Sequence, residues 1–349
     1  MIHFHTLKVK SVERSTPNSL VVTFDIPAEL KDTFKFIPGQ HITIKKELNS
    51  EEVRRSYSIC SSKESDSFSI GIKSIENGTF SKFAQSIQVG DSFEIYPPEG
   101  HFTYEPSKLQ DKNIAAFAAG SGITPIMSIM KEVLEKTNAK FMLVYGNKTM
   151  TETMFHKQIT DLLEQYPDRL IVQFIYSQKE EDNSLFGRIE KSTINFMLRN
   201  KYKDIPFGAF YLCGPEEMTK SVSKVLLENE IPQENIKIEL FTTSDDDDNH
   251  IADSLEGQTK VTVMVDDQES NFVMDRKKRV LDAVLEEDID APYSCQGGIC
   301  SSCVARLKEG KVEMVKNQIL TDSEIEEGLI LTCQAHPTTP TISIDYDDV

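Results

Sequence analysis

Tyr293 to Cys303 reads Y-S-C-Q-G-G-I-C-S-S-C, and a further cysteine, Cys333, follows thirty residues later in the strand-like run L-I-L-T-C-Q-A. Cys295, Cys300, Cys303 and Cys333 thereby give C-x4-C-x2-C…C, the plant-type ligand spacing of a [2Fe-2S] cluster. Gly297 and Gly298 suit a loop that must wrap such a group, because glycine backbone can take positive φ and aim N–H groups at anionic sulfur. Three other chemistries compete. A structural zinc calls for two separated C-x2-C pairs, whereas here three ligands crowd one loop. A disulfide framework belongs to small secreted chains. Unrelated buried cysteines have no reason to gather this way. Cys60 and Cys213 are left over and are expected to be free thiols in a reducing compartment.

Other stretches could hold phosphate or an aromatic ring. Gly120-Ser121-Gly122-Ile123-Thr124-Pro125 follows an apolar strand and opens a helix, which turns backbone N–H groups and a positive dipole end toward an anion. Pro125 stands where the third glycine of G-x-G-x-x-G would lie, and it fits an early helical position; the plain alternative is a tight strand-to-helix turn with no ligand. Gly78-Thr79-Phe80-Ser81 offers N–H groups and a hydroxyl in the same manner, or is a hairpin turn leading into a capped helix. Arg55-Ser56-Tyr57-Ser58 pairs a planar guanidinium, able to hold phosphate oxygens with two hydrogen bonds, with an aromatic face. An exposed arginine beside a half-buried strand tyrosine would leave the same residues.

The elements that must position these groups follow from periodicity. Residues 1–107 are rich in β signals, such as S-L-V-V-T-F-D-I and Q-H-I-T-I-K, separated by Pro and Gly, and are expected to form a small antiparallel barrel. From 108 to 243 apolar strands (114–119, 141–145, 170–176, 209–212, 236–241) alternate with helical patterns (124–136, 154–166, 191–200, 215–230). That is an open, mostly parallel α/β domain of nucleotide-binding type. Residues 244–258, with Asp245 to Asp248, are expected to be a solvated acidic tether. In 259–349 a hairpin (260–265 with 271–274) and a helix (280–287) precede the cysteine loop, making a third, α+β domain.

The 349 residues suffice for two or three domains with ordinary cores. The net charge of −18 is uneven: residues 259–349 carry 9 basic and 18 acidic side chains, net −9, and 244–258 carry six acids and no base, net −6, leaving −3 for the rest. An acidic cysteine end could steer a basic protein partner or merely aid solubility, and it disfavours nucleic acid. No signal-peptide pattern and no apolar run of some eighteen residues is found, so a cytoplasmic protein without membrane attachment is expected.

R-S-Y-S at 55–58, G-x-x-S at 78–81, A-G-S-G-I-T-P at 119–125 and Y-L-C-G-P at 211–215 occur in the order of the ferredoxin-NADP reductase superfamily, which the chain resembles. With a plant-type ferredoxin domain fused at the C-terminus, it is most similar to the reductase subunits of phenylacetyl-CoA epoxidases, multicomponent di-iron monooxygenases; related reductases serve steroid, aromatic-ring and alkane hydroxylases. The resemblance implies a β-grasp-like ferredoxin domain and FAD rather than FMN. It places Arg55 on the flavin pyrophosphate, Tyr57 against the isoalloxazine ring and Ser58 near flavin N5. Ser56, Lys73 and Gly78 to Ser81 also lie on the flavin side, although Lys73 alone could be an exposed strand lysine. It sets Gly120 to Pro125 on the nucleotide phosphates, Cys213 beside the nicotinamide C4, and Gly214 and Pro215 where the cofactor approaches backbone. For Cys213 a buried structural thiol is the alternative, and for Phe241, an aromatic over the flavin, a core phenylalanine. Lys148 and Arg188 could meet a 2′-phosphate, so NADPH is expected over NADH.

The implied activity is a relay from NAD(P)H through FAD and the [2Fe-2S] cluster to an oxygenase, with the tether letting the ferredoxin part swing. An electron carrier with a decayed flavin site is the alternative from another class.

Overall fold

The computed structural model describes residues 3–63, 65, 67–76, 78–109, 112–241 and 255–349. Contacts divide the chain into two compact units, one running His3–Phe241 and the other ending at Val349. Most of the expected acidic tether, 244–254, lies outside the described residues.

In the first unit, β1 (His5–Thr16), β2 (Ser19–Asp25), β3 (His41–Leu48), β4 (Glu51–Ser58), β5 (Phe68–Lys73) and β6 (Ser92–Glu99) form an antiparallel sheet in the order β4-β3-β6-β1-β2-β5. A bridge from Ile59, just beyond β4, to Ile70 in β5 joins its two edges, so the sheet closes on itself as a barrel. Alternate residues point inward and fill it with Leu7, Val9, Leu20, Val22, Ile42, Ile44, Ile70 and Ile72.

The second sheet is parallel. β7 (Asn113–Ala119), β8 (Phe141–Asn147), β9 (Leu170–Tyr176), β10 (Leu185–Phe186), β11 (Phe207–Cys213) and β12 (Ile236–Glu239) lie in the order β10-β9-β8-β7-β11-β12. The continuous apolar run of β7 is explained by burial on both faces. Ile114, Ala116 and Ala118 enter a core shared with helix Ile123–Lys136, while Ala115 and Phe117 enter one with Val222, Val225 and Leu226 of helix Glu216–Glu228. The chain leaves β7 on one side to β8, then returns on the other to β11, so the strand order reverses between β7 and β11.

Element limits differ from the periodicity where backbone chemistry intervenes. The helix expected over 154–166 starts at His156, because Phe155 takes left-handed φ (+59°) with its N–H on Ser15 Oγ at 3.0 Å. The helix over 191–200 is α-helical only for Lys191–Asn195 and continues as a π-helix, Phe196–Lys201. β12 stops at Glu239, so Phe241 does not close the last strand.

The C-terminal unit carries β13 (Gln258–Val265), β14 (Gln268–Asp275), β15 (Val304–Glu309), β16 (Val312–Met314), β17 (Leu329–Leu331), β18 (Ala335–Pro337) and β19 (Thr341–Asp345). Gln258, the last residue of the expected tether, already belongs to β13. Five strands order as β14-β13-β19-β15-β17, β13 running parallel to β19, and helix Val280–Glu286 buries Val280, Leu281, Ala283 and Val284 in this unit's core. This is the β-grasp-like arrangement expected. The β13–β14 hairpin turns through Asp266 and Asp267, both at positive φ, and their N–H groups are held by the Asp347 carboxylate at 3.0 and 2.8 Å.

Candidate functional site

Two turns ninety residues apart meet at the carboxyl ends of β7 and β11. Gly120, at φ +55°, leads the chain out of β7 through a 3-10 turn into helix Ile123–Lys136. A Cβ on Gly122 would collide with the backbone carbonyl of Cys213, so glycine is required for this loop to lie on Cys213-Gly214. A Cβ on Gly214 would in turn stand 3.1 Å from the Ala119 nitrogen. The paired turns form the crevice where open α/β sheets bind nucleotides, at the point of strand-order reversal. Gly120 is further fixed by the Tyr145 hydroxyl, which donates to its carbonyl at 2.9 Å.

Not every expected nucleotide residue offers its side chain there. Thr124 is buried, its hydroxyl donating to the Ser121 carbonyl at 3.0 Å, and Pro125 is buried in the first helical turn. Both shape the loop, leaving Gly120 and Ser121 as its accessible part, while Pro215 is exposed at the start of helix Glu216–Glu228. At the ends of β8 and β9, the amide of Asn147 and the Tyr176 hydroxyl are buried, Asn147 lying beside the Tyr145 hydroxyl and Thr153 beside that of Tyr176. Lys148 and Arg188 are exposed close by in sequence, and Lys179 is paired with Glu181 at 2.7 Å.

On the barrel, β4 separates its two adjacent arginines. Arg54 is buried, bonded to Glu52 at 2.8 Å and set over the Phe4 ring at 5.1 Å, whereas Arg55 is exposed. Arg55 is therefore the one suited to a phosphate. Tyr57 is half-buried, its ring 5.6 Å from that of Phe80, and burial pushes its phenol up. Phe80 itself is a core residue packed on Phe83 and Phe93, so only its backbone could serve a cofactor. Ser81 accepts from the Ile75 N–H at 3.2 Å and sits where a Gly78 Cβ would be, which leaves Thr79 as the exposed side chain of this turn.

Lys73 is no lone surface lysine. It is half-buried, and its Nζ lies 3.8 Å from the position a Gly120 Cβ would take, so the barrel reaches the nucleotide turn. Burial lowers its pKa, with Glu152 opposing and Lys148 adding to that shift. The two sheets also interlock through Gly71, where a Cβ would be 2.6 Å from the Thr124 methyl.

Cys213 is fully buried, and burial, with the Glu239 charge adding, holds its thiol well above the usual range. It is a neutral group suited to packing, not a thiolate nucleophile. Ser58 is also buried and lies opposite His41 in the β3–β4 register. Sequence reasoning passed over His41 and Glu99, whose Nε2 and Oε1 are 3.5 Å apart, and gave Glu239 no role. Their one sequence signal is a histidine inside the apolar run Q-H-I-T-I. Glu239, beside Cys213 in the β11–β12 register, is raised to about 7 by burial, against the pull of His41. Phe241 is 38 % exposed, which removes the core-phenylalanine alternative.

The Glu239 shift carries a pH prediction. A carboxyl raised from 4.5 to about 7 contributes stability fully present below pH 4.5 and lost as pH rises through 7. The full shift would be worth at most roughly 3 kcal/mol. The unfolding temperature of the first unit should therefore fall between about pH 4.5 and 7 and level off above that, and Glu239→Gln should flatten that decline. An unchanged slope in the variant would refute the assignment.

In the C-terminal unit Cys295 adjoins Cys300 and Cys333, and Cys333 adjoins Cys303, while among the described residues no three such side chains close on a point that would hold a single metal ion. The Gly297 N–H points at Cys295 Sγ (3.3 Å) and the Cys295 N–H at Cys300 Sγ (3.5 Å). Gln296 and Gly298 both take positive φ to bring this about. Cys333 lies in the turn after β17, not in a strand as the apolar run suggested. Four sulfurs with inward N–H groups fit a [2Fe-2S] cluster.

An antiparallel barrel, a parallel sheet with a nucleotide crevice and a cysteine-lined β-grasp-like unit, in that order, define a flavin and iron-sulfur oxidoreductase. Residues 6–104 match the oxidoreductase FAD-binding domain, 117–224 the oxidoreductase NAD-binding domain and 263–338 the 2Fe-2S iron-sulfur cluster binding domain. The chain is 35% identical over 359 residues to a component polypeptide of the 1,2-phenylacetyl-CoA epoxidase of Escherichia coli (strain K12), covering 99% of both. It is 31% identical to the ferredoxin reductase component of 3-ketosteroid-9-alpha-monooxygenase of Rhodococcus rhodochrous, covering 97% of this chain and 96% of that one. Phthalate dioxygenase reductase shares the fold, with a TM-score of 0.62 at 20% identity and 98% of each chain covered. The chain belongs to the family of oxygenase reductases that carry FAD-binding, NAD-binding and 2Fe-2S domains on one polypeptide. Its homologues pass electrons to oxygenase components. Among the described residues no helix is long and apolar enough to cross a membrane.

Proposed function

We propose that this chain is the NADPH-dependent reductase of a di-iron oxygenase acting on phenylacetyl-CoA, in the cytoplasm. The end-to-end similarity to the Escherichia coli epoxidase polypeptide carries the reading. The proposed domains are 1–107 for FAD, 108–243 for NAD(P), a 244–258 tether and 259–349 for the cluster. When bound, the cofactors turn a hydride from the nicotinamide into single electrons at the cluster. Arg55 and the Gly78–Ser81 turn hold the flavin phosphates, Tyr57 and Phe241 bracket its ring, and Ser58 stands near N5. Gly120 to Gly122 and Gly214 admit the dinucleotide, with Lys148 and Arg188 toward a 2′-phosphate and Cys213 beside the nicotinamide. Cys295, Cys300, Cys303 and Cys333 are the iron ligands.

A second reading, service to a steroid hydroxylase, draws on the 31% identity to the ketosteroid monooxygenase reductase. Reconstitution with each oxygenase, supplied with phenylacetyl-CoA or a ketosteroid and with NADPH or NADH, separates the two. Turnover of phenylacetyl-CoA with NADPH is expected. Turnover only of the steroid, or only with NADH, would overturn the corresponding part.

A further inference from the structure

Gln334, next to Cys333, is 1 % exposed, and its amide nitrogen donates to two backbone carbonyls at once: Gln296 at 2.9 Å and Cys333 at 2.9 Å. Gln296 adjoins Cys295 and holds left-handed φ of +53°, an unfavourable conformation for a residue with a Cβ. The side chain thus ties the three-cysteine loop to the turn bearing the fourth cysteine. Its stem takes part as well: a Cβ on Gly298 would stand 3.0 Å from Gln334 Cγ, so glycine at 298 leaves room for this side chain.

The orientation of the amide follows from chemistry. Both neighbours are carbonyl oxygens, which only accept, so the NH2 group must face them. That choice leaves Oε1 buried without a hydrogen bond, which costs about 1–3 kcal/mol. A side chain chosen for fold stability alone would avoid that orphan.

We infer that Gln334 is a positioning residue for the iron-sulfur centre, a clamp that holds the Gln296 backbone in its left-handed state and sets the Cys295 side of the loop against Cys333. The inference rests on the proposed four-cysteine ligand set. Partners of this kind, one bond removed from a metal, typically change retention about ten- to a hundredfold.

The test uses the full-length, cluster-loaded protein. Gln334→Met keeps the stem but has no donor; its cluster absorption should be lost to a chelator about tenfold faster or more. The g-values of the dithionite-reduced cluster should be displaced in its electron paramagnetic resonance spectrum, with flavin content unchanged. Adding Gln296→Gly, which takes positive φ without help, should bring retention back toward wild type. Should Gln334→Met fail to accumulate, Gln334→Asn, whose amide falls short of Gln296, is expected to show the same lability. Wild-type retention and g-values in either variant, or no rescue by Gln296→Gly, would overturn the clamp. A wild-type protein lacking cluster absorption and resonance would instead overturn the ligand set.

Discussion

Cys303→Ser is expected to abolish electron delivery to the oxygenase component while NAD(P)H still bleaches the flavin. Cys303 is buried, its sulfur adjoins that of Cys333, and its carbonyl accepts from both the N–H and the hydroxyl of Thr332, at 3.2 and 2.9 Å. A serine there replaces a soft thiolate by a poorly acidic hydroxyl in a site built for sulfur. The cluster's visible absorption should fall with acceptor reduction, by a hundredfold or so on the scale expected when a ligand shell is disrupted. The flavin side belongs to a different compact unit, so rapid-mixing flavin reduction and ferricyanide reduction taken directly from the flavin should stay near wild type. Loss of flavin reduction as well would mean that the relay does not run in the proposed order.

Gly122→Ala is expected to do the reverse. The added Cβ meets the Cys213 carbonyl, which is backbone and cannot rotate aside as a side-chain tip can. Either the Gly120–Gly122 turn lifts or the Cys213-Gly214 segment retreats, and both form the nucleotide crevice. Overpacking of this kind costs about 1–3 kcal/mol. If half of that falls on the bound state, the NAD(P)H concentration for half-maximal flavin reduction should rise roughly two- to tenfold. Cluster absorption in the other unit should be unaffected. A variant with wild-type nucleotide dependence and an unchanged unfolding temperature would show that the two turns separate freely.

The two substitutions differ in how far the sequence alone foretold them. The cysteine spacing pointed to the cluster because ligands crowded into one glycine-rich loop are a local pattern. The strand-helix alternation of 108–243 was equally plain, since parallel strands buried on both faces leave continuous apolar runs such as I-A-A-F-A-A. Element ends were less so: Phe155 in the left-handed region and the early stop of β12 at Glu239 depend on partners distant in sequence. The run R-S-Y-S singled out Arg55 over Arg54, but nothing local tells that Phe80 fills the core while Phe241 is exposed.

By itself, then, the chain order determined the class of cofactors, because ligand types and turn glycines are read from neighbours a few positions apart. Only the tertiary structure decided that Gly122 rests on Cys213, that Lys73 reaches Gly120, that His41 meets Glu99, and that Gln334 joins Gln296 to Cys333. Each is a contact between segments brought together by sheet order and turn geometry. Such contacts are set by where backbones pack, which no single stretch of side chains encodes.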